Sequence, residues 1–185
     1  MEASYNSINY LSDQEYKIHG WANSLLNRTR DADETKFYKE DIKTDYESIH
    51  NEYLNIYKQS DDEFIRLEAL KRPIFLNWYY ALEPDFLTGI KKLDSVTMFN
   101  AYKILNDYIK EEKLDAELTW MLKFYSSWEY IIFEYSKDKL NVLTSFVEEV
   151  DTTKLNFPEK QLDKGVMDNR GQMGIYWKKF VEKPD

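Results

Sequence analysis

Two aromatic-rich apolar runs decide most of what this chain can fold into. Ile74 to Leu82 reads Ile-Phe-Leu-Asn-Trp-Tyr-Tyr-Ala-Leu, almost without a polar break. Leu118 to Tyr135 carries Trp120, Phe124, Tyr125, Trp128, Tyr130 and Phe133. Both runs lie between charged, helix-forming stretches, so they are expected as buried helices. Five glycines and four prolines in 185 residues are too few to turn many hairpins. The expected fold is therefore all-α, with about seven to eight helices. Two architectures stay open: an irregular helical bundle, or a short stack of antiparallel helical hairpins.

Local signals divide the chain. Ser12 and Glu15 have the spacing of a capping box, which predicts a helix from Asp13 to about Asn27. In the next segment, Glu34 to Gln59, the residues Ile42, Tyr46, Ile49, Tyr53 and Ile56 recur at spacings of 4, 3, 4 and 3. On an otherwise charged helix this is a narrow seam, suited to an antiparallel partner or a homodimer. A second capping box, Ser60 to Glu63, opens a helix expected to kink or break at Pro73. The phrases Lys92-Leu-Asp-Ser95 and Lys113-Leu-Asp-Ala116 place Asp94 and Asp115 as N-caps of helices Ser95–Glu112 and Ala116–Tyr135. A short helix Asp85–Lys92, a helix Lys139–Val150, an extended loop Asp151–Pro158 and a helix Met173–Lys183 complete the expectation. The chain thus reads as one domain over 1–185. An N-terminal arm or hairpin (13–59) lies against an aromatic-rich core (62–150), with a loop and C-terminal helix (151–185).

Charge and composition narrow the function. The net charge of −9 is spread as −4, −3 and −2 over residues 1–60, 61–112 and 113–185. With no basic footprint, nucleic-acid binding is not expected. With no cysteine, disulfides and cysteine-based metal sites are excluded. The first residues lack a leader pattern, and no apolar stretch approaches the ~20 residues needed to span a bilayer. A soluble, cytoplasmic protein without membrane contact is the expectation.

Candidate site residues are few. Glu47-x-x-His50 has the spacing of one half of a helical di-iron site, but Tyr16 stands three residues before His19, so the second half is missing. His50 is expected on a solvated face, and neither metal nor cofactor is expected. Leu118, Leu122, Tyr125, Glu129 and Ile132 follow helical spacing, which puts the Glu129 carboxylate on an apolar stripe. Arg66, Arg72 and Arg170 are its available partners. Asn77 is the only amide inside the first apolar run. Gly165, Gly171 and Gly174 surround Met167-Asp-Asn-Arg170. That segment matches no phosphate-binding pattern and reads as a structured turn docking the Trp177 helix; Arg170 is its candidate anion contact. Ser126 and Ser127, in mid-helix, suit close packing. No nucleophile elbow or zinc-protease motif is present.

The leading functional expectation is a non-enzymatic protein-binding module, in its sharpest form an inhibitor or immunity protein that blocks a basic partner. The alternatives are a helical enzyme or small-ligand protein using Glu129, Asn77, Arg66, Arg170 or Trp177, and a subunit that homodimerises through the Ile42–Ile56 seam.

Overall fold

The computed structural model describes residues 2–26, 42–154 and 162–182. Among these the chain is all-α. The helices are α1 (Glu2–Leu26), α2 (Tyr46–Gln59), α3 (Glu63–Leu82), the single turn α4 (Asp85–Thr88), α5 (Ser95–Lys110), α6 (Ala116–Tyr125), α7 (Glu129–Ser136), α8 (Asn141–Glu148) and α9 (Gly171–Val181). Leaving out the single turn, eight remain. One parallel bridge between Leu162 and Glu182 ties the last turn region to the end of α9.

Four of these helices start where an aspartate accepts from their first amides. Asp45 accepts from Ser48 N, Asp62 from Phe64 N and Ile65 N, Asp94 from Thr97 N, and Asp115 from Leu118 N. Of the boundaries that differ from expectation, three have a clear physical cause. First, α1 begins at Glu2, so Ser12 and Glu15 lie in mid-helix and buried, where they serve tertiary contacts instead of capping. Second, α3 runs through Pro73 without interruption. Proline leaves the Ala69 carbonyl without its usual donor, and the buried surroundings of Arg72–Trp78 hold the helix together regardless. Third, the helix expected over Ala116–Tyr135 is two helices. The Ser126 hydroxyl bonds back to the Leu122 carbonyl at 2.8 Å, and a 3-10 turn over Ser126–Trp128 follows. Residues 42–45 of the expected Glu34–Gln59 helix are not helical, and α2 begins at Tyr46 after its Asp45 cap. The part of that expected helix before residue 42, the second half of the loop Asp151–Pro158 and the end of the Met173–Lys183 helix lie outside the described residues.

The helices enclose one continuous core that takes side chains from all the long elements, α1 and α2 included. Helices α1 and α2 thus pack into the same core as the other described helices. Trp78 of α3 is its centre. Its ring stacks on Tyr125 at 4.8 Å and meets Phe124, Trp128 and Tyr176 edge-on. From α9, Trp177 is fully buried, packs perpendicular to Trp120 at 4.6 Å and donates Nε1–H to the Tyr125 hydroxyl at 3.1 Å. Helix α1 packs on α2, α4 and α9, so the first and last described helices touch. A linear stack of hairpins would keep them apart; this is an irregular bundle.

The seam of α2 is used up inside this bundle. Tyr46, Ile49, Tyr53 and Ile56 are buried, and Ile42 packs partly buried against the same core. Helices α1, α3 and α5 all pack on α2, which leaves no seam face for a second copy. The same enclosure buries His50 completely, contrary to the solvated position expected for it.

A candidate recognition cleft over a buried ion cluster

The largest concentration of charge in the interior joins four parts of the chain. Glu68, Lys71 and Arg72 come from successive turns of α3, Asp115 and Glu117 from the start of α6, and Arg170 from the turn before α9; Ser12 reaches in from α1. Arg170 donates to both oxygens of Glu68 (Nε at 2.8 Å, Nη2 at 2.6 Å) and both of Glu117 (Nη1 at 3.1 Å, Nη2 at 2.6 Å), with Met167 Sδ at 3.4 Å from Nη1. All five guanidinium N–H groups are thereby engaged. Arg72 donates Nε and Nη2 to Glu68 and Nη1 to Ser12 Oγ. Lys71 Nζ lies 2.6 Å from Asp115 and 3.2 Å from Glu117. Burial pushes the Glu68 carboxyl up, but the Arg72 and Arg170 guanidiniums outweigh it and hold the pKa at about 2.

A second buried carboxylate stands beside this cluster. Glu15 of α1 accepts from the Tyr53 hydroxyl at 2.6 Å and from Gln172 N at 2.9 Å, which places its charge on the N-terminus of α9. Burial raises its pKa; Arg72 and these two donors oppose the rise. Gly171 (φ +57°) is forced here, because a Cβ would come within 2.6 Å of the Glu15 carboxylate. The Gln172 side chain continues the network, donating to Thr88 O at 2.5 Å and to the Tyr46 hydroxyl.

Above the ion cluster opens a cleft of about 450 Å³, walled by Ile8 and Asn9 of α1, Phe64 of α3 and the turn Gly165–Arg170. Two apolar side chains form its lips. Phe64 is 71 % exposed and Val166 is also exposed. The ionic groups differ in their reach. Asp115 is 38 % exposed and Glu117 22 %, whereas Lys71 is 6 % and Arg170 10 %. Asp168, on the turn, pairs with Lys178 at 2.5 Å.

A smaller cleft of about 330 Å³ is lined by Ile18, Trp21, Ile42, Tyr46, Gly89 and Lys91, with the Lys91 ammonium 5.6 Å from the Trp21 ring centroid.

The residues singled out from the sequence disperse. Glu129 is exposed, because the 3-10 turn before it shifts the helical phase on which the apolar stripe depended. Arg66 is at the surface of α3, donating to the Tyr57 hydroxyl at 3.0 Å and paired with Glu63 at 3.5 Å. Asn77 is buried and donates to the Met98 carbonyl at 3.1 Å, bridging α3 to α5. Its side chain lies beside the His50 ring and the Tyr102 hydroxyl, both buried with it. Burial drives the His50 pKa down to about 4, against the nearby Pro73 carbonyl, Asn77 and Asp94. Trp177 is core. Arg170 and Arg72 line the cleft, and all five guanidinium donors of Arg170, the candidate anion contact, are occupied by Glu68, Glu117 and Met167. Among the described residues no group of histidine and carboxylate side chains could hold a metal ion, and no helix is long and apolar enough to cross a membrane.

Sequence reasoning missed Glu15 and Glu68. Ile8, Leu11, Glu15, Ile18 and Ala22 keep spacings of 3, 4, 3 and 4, the same pattern that drew attention to Glu129, and here the helix is unbroken. Glu68 and Arg72 stand four apart on a helix, a spacing that normally marks a surface pair.

No protein-family model, no curated protein and no solved structure matches this chain.

Proposed function

We propose that the chain is a non-enzymatic protein-binding module that recognises its partner at the cleft over the ion cluster. The observation that carries this reading is Phe64, a large aromatic left 71 % exposed on the lip of a cleft floored by fixed charges. Aromatic anchors beside polar groups are the composition of interface centres. The chemistry of the floor supports binding over catalysis. Among the described residues the lining includes no histidine, and Glu68, Asp115, Glu117 and Asp168 are all held in ion pairs, whereas an acid–base catalyst needs a group free to exchange its proton. In its sharper form the module is an inhibitor or immunity protein that acts by occupying a partner's surface.

The test is affinity capture from a lysate of the source cells on the immobilised full chain, with light scattering of the eluted complex, for the wild type and Phe64→Glu. A stoichiometric protein partner lost by the variant supports the reading. A wild-type chain that retains no stoichiometric protein overturns it. A second reading, small-ligand binding, is favoured by the apolar Trp21–Lys91 cleft, and would show as ligand-dependent quenching of Trp21 fluorescence that Trp21→Leu abolishes.

A further inference from the structure

We infer that the group this cleft receives is a cationic hydrogen-bond donor: an arginine side chain on a segment of the partner protein, accepted by Asp115 and Glu117 beside the Phe64 ring. The inference rests on the protein-binding reading and names the chemistry of its partner.

Counting the hydrogen-bonding positions left open in the cluster gives the sign of the ligand. A carboxylate offers about four acceptor positions. Glu68 takes four bonds, two from Arg170 and two from Arg72, three of them on Oε1, and is itself mostly buried. Glu117 has three filled, two by Arg170 and one by Lys71. Asp115 has only two filled, by Lys71 Nζ and by Leu118 N. Open acceptor positions therefore remain on the two carboxylates that reach solvent. The donors run the other way. Arg170 has none left, and Lys71 and Arg72, which retain some, are 6 % and 2 % exposed. An anion entering the cleft would meet carboxylate oxygens with their cations beneath them. A cation would meet open acceptors.

Two further features select arginine. Its planar fork can bond two acceptors at once and lie on an aromatic face, and Phe64 presents an exposed ring on the same cleft. The apolar lips, Phe64 and Val166, suit the flanking residues of a polypeptide. The chain's overall charge of −9 favours encounter with such a segment.

The experiment is a titration of the isotopically labelled full chain, followed by backbone amide NMR shifts, with N-acetyl-arginine amide, N-acetyl-lysine amide and N-acetyl-aspartate amide. The arginine compound is expected to shift the amides of Phe64, Asp115–Leu118 and Gly165–Arg170, the lysine compound to do so more weakly, and the aspartate compound not to. Asp115→Asn keeps a competent N-cap for α6 and should weaken arginine binding about tenfold. Phe64→Ala removes an exposed side chain and should weaken it less. Equal shifts by the aspartate compound, unmoved cleft amides with arginine, or unchanged affinity in Asp115→Asn would each overturn the inference. A protein partner captured equally by the wild-type and Asp115→Asn chains would overturn it too, while leaving the binding-module reading intact. Arginine binding by a chain that retains no protein would support the cation site and remove that reading.

Discussion

His50 and Glu68 show how a single buried group makes stability depend on pH. His50 titrates near 4 in the folded chain against an ordinary 6.5. The unfolded chain therefore binds the extra proton first, and the contribution of neutral His50 is complete above pH 6.5 and lost as pH falls through 4. The displacement from 6.5 to about 4 corresponds to about 3 kcal/mol. Chemical denaturation of the wild type and His50→Leu at a series of pH values should show the variant gaining about that much relative to the wild type between pH 6.5 and 4. A gap that does not change with pH would mean that His50 is not held neutral. Glu68 has its pKa lowered, so its contribution is present above 4.5 and lost as pH falls through 2. Glu68→Gln leaves Arg170 and Arg72 short of a counter-charge in the interior. A loss of about 3–5 kcal/mol at pH 7 is expected from urea unfolding. A loss under 1 kcal/mol, the range of a surface pair, would show that the cluster is open to water.

At the level of helices, α3 and α9 carry the most informative departures. Pro73 sits inside α3, where proline costs about 3 kcal/mol relative to alanine in an ordinary helix. Pro73→Ala restores a donor for the Ala69 carbonyl, and calorimetry should show a higher Tm. A lower Tm would mean that the packing of the proline ring outweighs the missing bond. In α9, the Cβ of an alanine at position 174 would lie 2.2 Å from the Met167 carbonyl oxygen. Gly174→Ala should destabilise by about 1–3 kcal/mol, with a shift in tryptophan emission as Trp177 moves. These two effects have opposite signs, although both residues are conventional helix breakers. What surrounds each backbone decides which sign it takes.

For the molecule as a whole, the packing of α1 against α9 and the placing of α2 in the middle determine what surface is left. Tyr53 is fully buried and bonded to Glu15. Tyr53→Glu should therefore abolish cooperative unfolding in circular dichroism, where a dimer-seam residue would yield a folded monomer. A folded variant of halved mass would reinstate the seam. With the seam inside, the surface feature that stands out is the Phe64 cleft, built by the same ion cluster that ties α3, α6 and the turn before α9 together.

The helical class, the caps at Asp94 and Asp115 and the burial of Ile74–Trp78 were legible in the amino-acid sequence, because periodicity and capping act over one or two turns. Glu15 carried the right local pattern and was passed over for Glu129, whose pattern was equally good but crossed a helix break set by the Ser126 back-bond. The cleft was not legible. Arg170 pairs with carboxylates 102 and 53 positions away, and nothing local distinguishes Glu68 from a surface glutamate. Which charges are buried together is decided only when the helices pack, since desolvation and Coulomb attraction act through space and not along the chain.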